Sequence, residues 1–185
     1  MISKTKESSK PSPMEWLEQY IANKTGNRFN INDIHYQAIT FFSLIWNLFE
    51  KIIFNCECTE EAIWAEGQKE PYIDSNTIQN TYCFLRSRYI VNDSPNELFN
   101  KLGFTFITRR GTSADNKHLV DIVKYLCNAS NIQEMNCVCL MLAKRFRNNL
   151  FHGNKDLAMI WNEDDELFVV ICQFLISYLD SKSDE

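Results

Sequence analysis

Ile34-His-Tyr-Gln-Ala-Ile-Thr-Phe-Phe-Ser-Leu-Ile-Trp-Asn-Leu-Phe-Glu-Lys-Ile-Ile-Phe54 is the stretch that decides the fold. Apolar residues recur in it at Ile39, Phe42, Leu44, Ile45, Leu48, Phe49, Ile52 and Ile53. Those three- and four-residue steps are helical, and the stripe is broad enough for the centre of a bundle. Asn32 or Asp33 caps the helix, and Glu50 and Lys51 lie near its end. On the amino-terminal side, a polar tail over 1–13 reads as disordered, and Met14 to Ile21 reads as a short amphipathic helix that Gly26 ends.

On the carboxyl-terminal side, Thr59 caps a short helix that stops near Gly67 and Pro71, and Asp74 or Ser75 starts one running to about Tyr89. Ser94-Pro95 reads as a hydroxyl cap followed by proline at the first helical position, which predicts a short helix over 96–102. Phe104 to Gly111 reads as extended. Asp115 begins a helix through Leu126, and another follows from Asn131 to about Phe151, with Met135, Val138, Cys139, Leu142 and Phe146 on one face. Asn162 caps the last helix, whose first turn, Glu163 to Glu166, places four carboxylates where the backbone dipole favours them; this is capping chemistry rather than a metal cluster. Four long helices near 34–54, 75–89, 131–152 and 163–180 predict a single all-α domain over 14–182, an antiparallel four-helix-bundle-like fold with additional short helices.

Composition agrees. A chain of 185 residues supplies one comfortable core, and 5 Gly with 4 Pro are too few for the tight turns of an all-β fold. Lys and Arg number 19 against 24 Asp and Glu, a net charge of −5, which argues against a chain that coats nucleic acid by bulk electrostatics. The longest apolar stretches, Phe41 to Phe54 and Leu167 to Leu179, are interrupted by polar residues and fall short of the roughly 20 residues of a membrane span. The first residues lack the apolar stretch of a signal peptide, so the expected location is the cytoplasm, with no membrane partner. Seven cysteines are then read as thiols, with Cys83, Cys127, Cys137, Cys139 and Cys172 serving as small buried hydrophobes.

One segment departs from what a bundle core demands: Lys144-Arg-Phe-Arg-Asn-Asn-Leu-Phe-His-Gly-Asn-Lys155. It carries +4 in a chain of −5, so the remainder carries −9, and anion attraction is focused at one helix end. Asn148 and His152 are four apart and share a helical face; Arg147 and His152 diverge by about 140°, an angle a long guanidinium or a loosened last turn closes. The dipole alone also favours cations in a last turn, so a simple helix cap accounts for the same charges.

Arg147-Asn148-x-x-x-His152 resembles the Arg-x4-6-His signature of the HEPN superfamily, all-helical domains known as metal-independent endoribonucleases in toxin–antitoxin, phage-defence and RNA-processing systems. Phe42 to Glu50 resembles the aromatic helix near the start of such domains. The resemblance spans roughly 32–180, its specific part about ten residues. It implies that His152 is the general acid or base while the RNA 2′-hydroxyl attacks its own phosphodiester, that Arg147 binds phosphate and stabilises the transition state, and that Asn148 orients the backbone or the histidine. Lys144, Arg145, Asn149 and Lys155 would bind RNA. The products would carry 2′,3′-cyclic phosphate, and no metal or other cofactor is needed.

Since one histidine does not readily serve as both acid and base, the resemblance further implies a homodimer with two motifs in one cleft, under an antitoxin or other regulatory protein. Asn154 stands where some members carry a nucleotide-accepting tyrosine, so regulation by that modification is not expected. The alternative is a non-catalytic module binding a nucleotide, RNA or a partner protein; a helical interaction protein with a mere cap at RNNLFHG is a third. Arg86, Arg88, Arg109 and Arg110 would extend an RNA path if they fold toward the motif, although Arg86 and Arg88, two positions apart on a helix, point in different directions and read as solvated. His35 and His118 show no partner in the sequence, and Glu50 is a candidate to pair with Arg147.

Overall fold

The computed structural model describes residues 34–108, 111–114, 118–151 and 165–183, with Gln19 alone before them. Of the expected helix over 14–21 only Gln19 is described, and it is helical; the tail over 1–13, the caps at Asp115 and Asn162, Arg109 and Arg110, and the side chain of His35 lie outside the described residues. By backbone contacts the chain divides into two units, Met1–Gln37 and Ala38–Glu185, of which the second holds nearly all the described residues. The chain is mostly helical. Seven helices occur among the described residues: α1 Ile34–Phe54, α2 Glu60–Gly67, α3 Ser75–Tyr89, α4 Glu97–Asn100, α5 Leu119–Asn128, α6 Ile132–Phe151 and α7 Asp165–Ser183. Two small antiparallel hairpins interrupt them, β1 Ile90–Val91 with β2 Ser94–Pro95 and β3 Thr105–Thr108 with β4 Gly111–Ala114.

The caps explain most boundaries. The Thr59 hydroxyl accepts the Ala62 N–H, the Asp74 carboxylate accepts that of Thr77, and Asn131 Oδ1 accepts that of Glu134. Ser94-Pro95 behaves differently from expectation. Asn92 and Asp93 adopt φ of 50° and 55°, the tight two-residue turn that joins β1 to β2, so Ser94 and Pro95 are strand residues and Asn96 becomes the cap, accepting the Phe99 N–H. The extended reading of 104–111 holds for β3, which pairs with a second strand that begins at Gly111.

At the centre stands α6. Residues Asn136 to Ala143 are all buried, as are Arg145, Phe146 and Asn149, so this helix is packed nearly all round. Gly67 makes the crossing with α2 possible: a Cβ there would lie 2.6 Å from Cys137 Cα. Antiparallel to α6, α2 aligns Trp64 with Cys137 and the preceding loop with Lys144. A buried polar chain closes the seam, in which the Tyr178 hydroxyl donates to Asn136 Oδ1 (2.7 Å) and Asn136 Nδ2 donates to the Gly67 carbonyl (3.4 Å).

Aromatic contacts fasten α1 to α7, Phe42 on Phe168 and Phe49 on Tyr178 with ring centres 5.4 and 5.6 Å apart. The single broad stripe read from the sequence divides here. Phe42, Trp46 and Phe49 enter the core, whereas Leu44, Leu48 and Ile52 face outward with Phe41. By length and composition alone, Gln37–Phe54 would also pass as a membrane-crossing helix. Of the cysteines expected inside, Cys137 and Cys139 are buried, Cys127 and Cys172 are intermediate, and Cys83 is exposed; all seven are free thiols.

Candidate active site

The last turns of α6 carry the motif, and their position follows from how tightly the rest of that helix is held. Lys144 Nζ donates to the main-chain carbonyl of Cys58, in the loop between α1 and α2. That loop leaves α1 through Asn55 and Cys56, both left-handed (φ 49° and 67°), and the Cys56 N–H donates back to the Glu50 carbonyl at 3.1 Å. One turn beyond Lys144, Arg147 Nη2 lies 3.9 Å from Glu50 Oε2, and its Nη1 donates to Asn148 Oδ1 at 3.4 Å. Glu50 is itself anchored, because the buried Trp46 donates from Nε1 to Oε2 at 3.0 Å.

The pairing of Glu50 with Arg147 that the sequence suggested is present, and it has a second layer in Trp46. With side chains 25% and 31% exposed, the ion pair orients the guanidinium more than it stabilises the fold. Cys58, which no sequence signal singled out, joins the same neighbourhood. Burial pushes its thiol up to about 11; the Lys144 ammonium pulls against that shift, the Glu50 carboxylate reinforces it, and Arg147 opposes it. At neutral pH it is a protonated thiol, not a nucleophile.

Two expected RNA-binding residues face the interior instead. Arg145 Nε donates to the Leu102 carbonyl at 2.7 Å with its guanidinium over the Phe104 ring, and Asn149 Nδ2 donates to the same carbonyl at 2.9 Å. Both side chains are buried, which withdraws them from a surface path. Gly103, at φ +66°, keeps the chain clear of Arg145, since a Cβ there would come 3.2 Å from Nη2. A signal for this existed: Arg145 and Asn149 continue the Val138–Leu142 stripe at steps of three and four.

His152, Gly153, Asn154 and Lys155 lie outside the described residues. Elsewhere, His118 has partners after all. Its ring stacks on Trp64 at 4.2 Å and Nε2 lies 3.4 Å from Glu61 Oε2. Arg86 is not simply solvated, as it donates to the Cys127 carbonyl (2.9 Å) and to Asp93 (3.1 Å), tying α3 to the end of α5 and to the β1–β2 turn. Among the described residues no group of three or more His, Cys, Asp and Glu side chains could hold a metal ion.

Chemically, the described part of the site offers one oriented guanidinium, one ammonium and one carboxylate at the edge of the core. A guanidinium held in a fixed plane suits bidentate contact with a phosphate. No protein-family model matches the chain, and no curated protein or solved structure matches it.

Proposed function

We propose that the chain is a metal-independent endoribonuclease of HEPN type, acting in the cytoplasm as a toxin or antiviral effector. The observation that carries this reading is the tethering of Arg147 by Glu50 and Trp46, beside Lys144, five residues before His152. In the reaction, a base removes the proton of the RNA 2′-hydroxyl, whose oxygen bonds to the adjacent phosphorus. The bond from phosphorus to the 5′-oxygen breaks, an acid protonates that oxygen, and a 2′,3′-cyclic phosphate remains.

His152 serves as acid or base, Arg147 meets the charge that builds on the non-bridging oxygens, and Asn148 steadies Arg147. A homodimer supplies the second histidine, so that one imidazole takes a proton while the other gives one. An antitoxin or similar protein regulates it. The non-catalytic alternative, a module binding nucleotide, RNA or a partner protein, is favoured by one observation, the Glu50 carboxylate close enough to Arg147 to compete with a phosphate.

Growth of cells expressing the protein tests the proposal. Wild-type protein should arrest growth, and Arg147→Ala and His152→Ala proteins made in equal amounts should not. Equal arrest by all three would mean that the motif is not the source of toxicity.

A further inference from the structure

The outward stripe on α1 is the largest feature that the proposed chemistry leaves unused. Phe41, Leu44, Leu48 and Ile52 are 58%, 56%, 51% and 51% exposed, on the helix whose other flank packs Phe42, Trp46 and Phe49 into the core. Their steps of three, four and four residues place them in one straight line. We propose that this stripe docks on the same stripe of a second copy of the chain, the two α1 helices running antiparallel about a two-fold axis.

The spacing is self-complementary. In antiparallel register Phe41 faces Ile52 of the second copy and Leu44 faces Leu48, with the axis passing between the two leucines; an isologous contact requires this symmetry. Area points the same way. Four large side chains about half exposed present roughly 400 Å² of apolar surface, in the range that marks a functional patch on a monomer. Two copies cover about 800 Å² of it, two thirds of the roughly 1,200 Å² at which specific interfaces begin, and a polar rim supplies the rest. Exposed Thr40, Lys51 and Asn55 flank the stripe as that rim. A lipid surface fits less well. Helices that lie on membranes are rich in Lys and Arg on the polar side, and Ile34–Phe54 contains one lysine and no arginine.

This contact is separate from the motif. Glu50 is two residues from Leu48 and roughly 160° around the helix from it, so docking through the stripe leaves the Arg147 flank of α1 open. This contact is therefore distinct from the pairing of two motifs under the proposed function, and it stands apart from whether the protein cuts RNA.

Sedimentation of the full chain across micromolar concentrations tests it, with circular dichroism to verify folding. Wild type should self-associate through the stripe, giving a dimer, or a tetramer where two motifs pair as well. Leu44→Lys alone and Leu48→Glu alone should each weaken dimerisation by about tenfold or more while remaining folded, since both sites face solvent in the isolated chain. Mixing the two variants should restore a heterodimer, because in antiparallel register the new cation of one copy meets the new anion of the other. A wild-type monomer overturns the proposal, whether or not it floats with vesicles of neutral and anionic phospholipid, and flotation would assign the stripe to a lipid surface. Dimers unaffected by either substitution overturn it as well, and a mixture that stays monomeric overturns the antiparallel register.

Discussion

Gly67→Ala sets two effects of opposite sign against each other. Gly67 is the last residue of α2, and exchanging glycine for alanine in a helix ordinarily stabilises by up to about 1 kcal/mol. Here the added methyl would stand 2.6 Å from Cys137 Cα and 2.7 Å from its Sγ. Carbon atoms prefer about 3.5–4.0 Å, so α2 must withdraw from α6 by roughly 1 Å. The Cys137 Cα belongs to the most buried helix of the protein and has nowhere to go.

Overpacking of this kind costs about 1–3 kcal/mol. The contacts along the seam, Asn136 to the Gly67 carbonyl and Lys144 to the Cys58 carbonyl, would stretch with it. The expected net result is destabilisation by about 1–2 kcal/mol, a fall in Tm of roughly 2–8 °C for a chain of this size. Thermal and urea melts followed by circular dichroism measure it. In a Cys137→Ala background the same substitution should cost less, because the sulfur is gone, and still cost something, because the Cα remains. A Gly67→Ala protein as stable as wild type, or more so, would refute the close α2–α6 crossing.

Two further predictions concern the site and its surroundings. Asn149→Ala should lower stability by about 1–2 kcal/mol in the same melts, through loss of its hydrogen bond to the Leu102 carbonyl, while leaving any RNA affinity unchanged; a loss of affinity in a protein of normal stability would return Asn149 to the surface. Burial raises the thiols of Cys58, Cys137 and Cys172 from an ordinary 9.0 to about 11, 12 and 11, so the unfolded chain ionises first and stability should be intact below about pH 9 and decline between there and about pH 12. Melts at stepped alkaline pH measure the decline, and a Tm that rises over that window would contradict the burial of these thiols.

Helix existence and extent were legible because local chemistry and periodicity agreed. Thr59, Asp74 and Asn131 each cap where their side-chain oxygens predict, and α1, α3 and α6 run to Phe54, Tyr89 and Phe151, the ends expected from the sequence. Ser94-Pro95 misled because a hydroxyl followed by proline is a strong helix-start signal, and the competing signal, Asn92-Asp93 between Ile90-Val91 and the serine, is a two-residue turn that tertiary contacts complete. Composition alone does not say which side of a cationic helix end is buried. Charge drew Arg145, and with it the polar Asn149 of the same segment, onto an expected surface, although their register with Val138 and Leu142 pointed inward.

Conversely, Leu44, Leu48 and Ile52 were absorbed into the core stripe because Ile45 lies between the two lines on the helix and joins them into one broad apolar face, although their centres are roughly 120° apart. Where the neighbours lie is decided by α2, α6 and α7, not by α1. Glu50 was recoverable as an acid near the motif. Trp46 as its anchor and Cys58 as the carbonyl under Lys144 required the tertiary fold.

Whether Arg147 and His152 cut RNA without a metal is decided by a time course of RNA cleavage in excess chelator. Purified wild type, Arg147→Ala and His152→Ala are compared, and the ends of the fragments are identified. Wild type should leave 2′,3′-cyclic phosphate ends, and both variants, which remain folded, should cleave about 100-fold or more slowly. Intact RNA with the wild-type protein, or undiminished cleavage by either variant, would contradict the proposed chemistry.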